Sequence, residues 1–167
     1  MEYQFRKAKT DDEAAVWEIL KSAIHRRRLD GSSQWQDGYP NMEILKNDIR
    51  QEAGWVLVGG EMVCGYVAIY GEEPAYDDLK QGNWLSNGVF IVIHRLAVSE
   101  GLIGRGLAQK IFEKVEEFAR QKGIKSIKAD TNFDNYAMLH IFKKMGYSYC
   151  GKVYFRGSER LAYEKLI

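Results

Sequence analysis

The spacing of apolar residues changes period several times along the chain, and each change predicts an element. Tyr3–Lys7 alternates like a short strand, and Thr10-Asp11-Asp12-Glu13 then reads as a capping box, with a carboxylate three residues after the hydroxyl. Ala15, Val16, Ile19, Leu20, Ala23 and Ile24 follow the helical period, which fades near Leu29-Asp30-Gly31. Gly31–Asn41 is turn-forming yet carries Trp35 and Tyr39, and Met42–Glu52 predicts a second helix with Ile44, Leu45 and Ile49 inward. Trp55–Val58 and Met62–Tyr70 are strands joined at Gly59-Gly60, a hairpin signal. After an irregular stretch from Gly71 to Gly88, Val89–Val98 is apolar except for His94-Arg95, as in a strand buried on both faces at a sheet's centre.

A helix from about Gly104 to Gln121 places Leu107, Ala108, Ile111, Phe112, Val115, Phe118 and Ala119 inward, with Gly123 as its cap. Ser126–Asp130 is a strand, and the intervening helix makes it a parallel neighbour of Val89–Val98. Asn135 opens a last helix, with Met138, Ile141, Phe142 and Met145 inward and Gly146 as its stop. Tyr147–Phe155 and Arg160–Lys165 are strands around Arg156-Gly157-Ser158. The order β-α-α-β-β-β-α-β-α-β-β predicts an α/β fold (α+β, mixed sheet), with residues 1–167 as a single domain.

Composition narrows the function classes. A net charge of +1 makes no case for nucleic acid or an anionic membrane as partner. The basic run His25-Arg26-Arg27-Arg28 reads as a solvated helix end, placed favourably against the dipole. Cys64 and Cys150 match no metal or redox spacing and lie in strand-like segments as small buried hydrophobes. Three scattered histidines argue against a metal centre. With no signal-peptide core and no apolar run near the ~18 residues of a membrane span, a soluble cytoplasmic protein is expected.

The candidate chemistry starts at Ile93–Phe112, where a strand feeds a loop with Gly101, Gly104 and Gly106 that opens into a helix. Unpaired N–H groups and the positive end of the helix dipole make this an anion site, suited to phosphate or pyrophosphate. A dinucleotide site would have a third glycine where Gln109 stands, although Asp130 lies at a fitting distance for its acid. A P-loop would need Gly-Lys-Ser/Thr, which the loop lacks.

Leu96-Ala97-Val98, then Ile103-Gly104-Arg105-Gly106-Leu107-Ala108, and the helix running from Asn135 to Gly146-Tyr147 together resemble the GNAT superfamily of acetyl-CoA-dependent N-acetyltransferases. The resemblance covers essentially the whole chain in element order and implies the GNAT-like acyl-CoA N-acyltransferase fold. It implies that amides from Leu102 through Ala108 cradle the pyrophosphate of acetyl-CoA, with Gly106 and Ala108 at the two small positions of the family loop. It also implies that Leu96, Ala97 and Val98 meet the pantetheine arm where their strand splays from the next. Asn135 has a contact to CoA as its implied role and a helix cap as its structural one, and Asn132 belongs to the same cleft. Two positions depart from the pattern. Ile103 replaces the usual Gln or Arg, for which Arg105 could compensate. Phe142 takes the place of the tyrosine that often protonates the leaving thiolate; Tyr136, Tyr147 or Tyr149 is the substitute, or the thiolate leaves unaided, and Phe142 itself is expected as a core residue on the helix's inner face.

Acetyl transfer to an amine needs a group that takes the amine's proton. His94 precedes Val98 by four residues and by simple alternation shares a face with Leu96 and Val98. Histidine as a side-chain type suits proton transfer near neutral pH, which makes it the candidate base, with a hydrogen-bonded strand histidine as the structural alternative. Glu72 and Glu73 are the alternative carboxylates. Trp35, Tyr39, Tyr76 and Trp84 could wall a pocket for a cationic amine drawn by Asp37, Glu72 or Glu73; closing a small core or a homodimer contact is their other use. The expected function is transfer of acetyl from acetyl-CoA to a primary amine, of a small molecule or a protein, by direct attack in a ternary complex. Cys150 is the one conceivable nucleophile near this half and has no activating partner. The alternative is a catalytically inactive CoA-binding sensor or regulatory domain.

Overall fold

The double burial expected of the central apolar strand is matched by its place in the sheet. In a computed structural model that describes residues 1–167, seven strands run in the order β1-β2-β3-β4-β5-β7-β6. They are β1 (Tyr3–Lys7), β2 (Gly54–Gly59), β3 (Met62–Tyr70), β4 (Ile91–Val98), β5 (Ser126–Thr131), β6 (Ser148–Phe155) and β7 (Ser158–Leu166). The helices are α1 (Glu13–Leu29), α2 (Met42–Arg50), α3 (Leu107–Gln121) and α4 (Tyr136–Met145). The expected element order holds, with three short 3-10 turns added, and β4 starts two residues later than its apolar run. The backbone groups into two compact units, residues 1–69 with 95–111, and residues 70–94 with 112–167.

In the first unit β1 and β2 pair antiparallel, as do β2 and β3 about the Gly59-Gly60 turn. The capping expectation at Thr10 and Glu13 shifts by one residue, to Lys9 and Asp12. Thr10–Asp12 is a 3-10 turn, and the Asp12 carboxylate accepts the Lys9 amide at 2.8 Å and the Arg6 guanidinium at 2.7 and 3.0 Å. Those hydrogen bonds hold its pKa below the usual carboxylate range. Val16, Ile19 and Leu20 are buried as the period predicts, whereas Ala15 faces solvent. The basic helix end is not wholly solvated: Arg27 is buried and pairs with Asp30, and Arg26 pairs with Glu100. Asn41 caps α2 by accepting the Ile44 amide. Gly65 of β3 lets α3 approach closely, because a Cβ there would sit 2.7 Å from the Ile111 Cδ1 methyl.

In the second unit β4 and β5 are parallel neighbours, as expected of a strand–helix–strand connection. β5 pairs antiparallel with β7, and β7 with β6. Gly146 ends α4 at φ +81°, and the Tyr147 amide donates back to the Phe142 carbonyl at 2.9 Å. The segment between β3 and β4 is strapped down rather than loose. Lys80 and Lys152 exchange two backbone hydrogen bonds of 2.8 Å, and Ser86 Oγ donates to Glu164 Oε2 at 2.8 Å. Trp84 Nε1 donates to the Tyr76 carbonyl, and the Lys128 ammonium lies 4.2 Å and 3.8 Å from the Trp84 and Phe90 ring centres. Tyr76, Val92, Val153 and Ala162 form the core under this strap, with Leu79, Trp84, Phe90 and Phe155 packed against it.

Candidate functional site

The glycine loop lies in the first unit. After β4 the chain makes a 3-10 turn at Glu100–Leu102, passes Ile103 in an extended conformation, and enters α3 at Leu107. Gly104 and Gly106 sit at φ +80° and +76°, the left-handed region that a side chain disfavours. A Cβ on either would meet no protein atom within 4 Å, so both positions border open space. The Lys110 amide is the first to close a helical bond, to the Gly106 carbonyl at 3.0 Å. The amides of Leu107 and Ala108 therefore have no acceptor within the helix and project from its positive end. Ile103 and Arg105 are exposed. The loop thus offers what a pyrophosphate requires: N–H donors, a helix N-terminus and no side chain in the way.

At the head of this loop β4 is not a regular strand. Arg95 has φ +53°, so alternation does not carry straight through it, and the shared face expected of His94, Leu96 and Val98 is interrupted. A non-glycine residue held there costs on the order of 1–3 kcal/mol and persists only where its surroundings fix it. The fixing contacts are unusually strong. Arg95 Nε and Nη2 donate to the two Asp48 oxygens at 2.9 and 2.6 Å, and Nη1 donates to the Tyr39 hydroxyl. Asp48, fully buried on α2, also accepts the Tyr66 hydroxyl at 2.6 Å. Burial would lower the pKa of Arg95, but Tyr39 and Asp48 outweigh it and hold the guanidinium above its ordinary value. Tyr39 is thereby tied to β4, while Trp35, half-buried at φ +63°, belongs to the same loop.

His94 belongs to the second unit and sits among acids and aromatic rings. Its Nε2 lies 3.0 Å from Glu73 Oε2. Glu73 Oε1 accepts the Ala75 amide at 3.1 Å, capping a 3-10 turn over Pro74–Asp78. Tyr76 is buried and donates its hydroxyl to Asp130 Oδ2 at 2.6 Å, and Tyr70, Tyr76 and Phe155 lie 6.1–6.5 Å from the His94 ring centre. Burial raises the Asp130 carboxyl pKa, against the opposing effects of His94, the Tyr76 hydrogen bond and Arg160. The β4–β5 ladder pairs Ile91–Ile93 with Ile127–Ala129 and stops before His94 and Asp130, although both strands continue. Glu72 is exposed, and its neighbour Glu73 is the carboxylate that meets His94. Tyr76 and Trp84, at 5.1 Å, close a small core under the strap.

The start of α4 is a network of amides. Asn135 Oδ1 accepts the Met138 amide at 3.3 Å, and its Nδ2 donates to Thr131 Oγ1 at 3.0 Å, which makes it a helix cap. Asn132 is buried, donates to Asp134 Oδ1 at 2.7 Å and accepts from Arg160 Nη1 at 3.3 Å. Phe142 is core, with ring centres of Phe112, Tyr147 and Tyr163 at 6.0, 5.6 and 4.6 Å. Of the tyrosines offered in its stead, Tyr136 and Tyr149 are exposed, and burial pushes the Tyr147 hydroxyl pKa up. Cys150 is a buried free thiol, its pKa raised by burial and by Glu164. No group of His, Cys, Asp and Glu side chains is arranged to hold a metal ion. No helix is long and apolar enough to cross a membrane.

Glu73 and Asp130 are partners that the spacing alone did not connect to His94, and Arg160 acts on Asp130 in turn. One signal was present: Asp130 lies at the carboxyl end of a parallel strand, and ligands of open α/β sheets gather beyond carboxyl ends of strands.

The acetyltransferase (GNAT) family model matches residues 15–147. A GNAT-family acetyltransferase from Streptococcus agalactiae 2603 is 36% identical, with 99% of this chain and 95% of that one covered and a TM-score of 0.92. A GNAT-family acetyltransferase from Listeria monocytogenes 4b F2365 has 18% identity, coverage of 100% and 96%, and a TM-score of 0.79. An N-acetyltransferase from Staphylococcus aureus Mu50 has 18% identity, coverage of 98% of each chain, and a TM-score of 0.68. These last two likenesses concern the fold. No curated protein matches the chain.

Proposed function

The chain belongs to the GNAT acetyltransferase family, and on that premise we propose that it moves an acetyl group from acetyl-CoA to a primary amine by direct attack in a ternary complex. The observation that carries the reading is the loop at Gly104–Ala108, with two left-handed glycines bordering open space at a helix N-terminus. Amides from Leu102 through Ala108 would hold the pyrophosphate, and Leu96, Ala97 and Val98 would carry backbone contacts to the pantetheine arm. Acetyl-CoA, when bound, supplies an activated thioester. Asn132 and Asn135 shape the turn into α4 and belong to the proposed cofactor site by that means.

His94 stands two residues before Leu96 on the same strand and is the proposed base. It is held by Glu73, within electrostatic reach of Asp130, and it takes the proton that the amine sheds as it becomes an amide. Carboxylates beside aromatic rings favour a cationic acceptor in the neighbourhood of Tyr76, and Trp35 and Tyr39 belong to a loop of the same proposed role. We read residues 1–167 as one catalytic domain, supported by a family match that runs through both units, and expect it to work in the cytoplasm.

The test is turnover: purified protein with acetyl-CoA and a panel of primary amines, following thiol release and the acetylated product. Tight CoA binding without transfer to any amine would favour the sensor reading over the enzyme. Two expected results bear on details. Gly106→Val forces a side chain into the left-handed region and into the open space, so the KM for acetyl-CoA rises at least tenfold; an unchanged KM places the pyrophosphate elsewhere. Cys150→Ala leaves kcat unchanged, because a buried thiol with a raised pKa forms no acyl-enzyme. Loss of turnover in a folded Cys150→Ala protein, with an acetylated Cys150 trapped in the native one, would replace direct attack.

A further inference from the structure

The two oxygens of Glu73 are both committed, and the partner of each says what the residue does. Oε1 takes the Ala75 amide at 3.1 Å, a backbone bond that fixes the carboxylate relative to the chain. Oε2 faces His94 Nε2 at 3.0 Å. A carboxylate only accepts, so in neutral His94 the nitrogen that meets it carries the hydrogen. The other ring nitrogen, Nδ1, is then the one with a lone pair. Tyr70, Tyr76 and Phe155 pack around the ring, so packing as well as the close approach of Glu73 fixes its orientation.

We infer that Glu73 is a positioning residue that holds His94 in the Nε2–H tautomer and leaves Nδ1 as the atom that accepts the amine's proton. The inference rests on the reading of His94 as the base and goes one step further, to the atom and to the residue behind it. The same division of labour is found wherever a carboxylate orients a catalytic imidazole from behind. The proton balance is simple. One proton leaves the amine nitrogen and arrives on Nδ1 as the N–C bond forms and the C–S bond breaks, CoA departing as the thiolate; the resulting imidazolium keeps Nε2–H on Glu73 and lies in the field of Asp130. Arg160 acts on Asp130 from β7 and moderates that field.

The experiment is a long-range proton–nitrogen correlation spectrum of 15N-histidine-labelled protein, recorded at a pH where the ring is neutral. His94 is assigned by its loss in His94→Ala. The Nε2–H pattern is expected in the native protein, and an Nδ1–H pattern overturns the inference whatever any variant does. Glu73→Gln retains an acceptor oxygen and is expected to keep the Nε2–H pattern. Glu73→Ala loses that pattern and lowers kcat at least tenfold with KM for acetyl-CoA unchanged. Glu73→Gln lies between it and the native protein in kcat. Unaltered kcat and unaltered spectrum in Glu73→Ala also overturn the proposal. The two readings fail separately. If His94→Ala turns over normally, His94 is not the base; if His94→Ala is inactive while Glu73→Ala is fully active, only the role of Glu73 falls.

Discussion

Asp48→Ala is expected to cost about 3–5 kcal/mol of stability, the loss seen when one partner of a buried ion pair is removed and the other stays buried. Asp48 is fully buried and accepts two bonds from Arg95 and one from Tyr66. Without it the guanidinium keeps its charge and loses its bidentate partner, in a place largely closed to water. Arg95 also stands in a left-handed backbone conformation that these bonds hold in place. The midpoint of denaturant unfolding measures the loss. Asp48→Asn, which keeps the shape and one acceptor oxygen, falls between the native protein and Asp48→Ala. A loss below about 1 kcal/mol in Asp48→Ala would mean that the network is closer to an exposed ion pair in worth, and that something else holds the left-handed backbone at Arg95.

His94→Ala is expected to lower kcat by about 10²–10⁴ at neutral pH, the usual worth of a positioned proton acceptor. Affinity for acetyl-CoA is expected to stay within a few-fold, because the proposed cofactor contacts are backbone groups beginning at Leu96. Single-turnover rates with saturating acetyl-CoA, set beside a direct CoA titration, separate the two effects. A kcat within threefold of the native value, with the same pH–rate profile, would remove His94 from the chemistry. The histidine would then be a semi-buried strand residue satisfied by Glu73.

The fold was largely legible because its signals are local and periodic. The near-continuous apolar run before His94 placed β4 inside the sheet, and the helix between β4 and β5 required them to be parallel. Capping at Asn135 and the stop at Gly146 were readable from residue type. What escaped depends on partners far apart in the chain. Nothing in the spacing of Arg95 says that it meets Asp48, or that the backbone bends left-handed to bring it there. Likewise Glu72 and Glu73 are indistinguishable by composition, and only the 3-10 turn after them decides which carboxylate reaches His94. Tyr76 and Trp84 were legible as aromatics with a purpose, but their packing under the strap depends on the Lys80–Lys152 bridge and on Lys128.

That bridge has a consequence for the molecule in a crowded solution. An open sheet ends in two rims, and β6 forms one of them. A rim with free amides and carbonyls invites the same strand of another copy to add on, which is how ordered aggregates begin. Here the chain lays its own Lys80 across Lys152 and uses both backbone bonds of that position itself. The adjacent Gly151 makes this possible, since a Cβ there would stand 2.6 Å from the Lys80 carbonyl oxygen. With a shift in register beside it on the β6–β7 pair, the rim is broken into pieces too short to template a neighbour. The strap that frames the proposed acceptor region therefore also acts as a stopper against self-polymerisation.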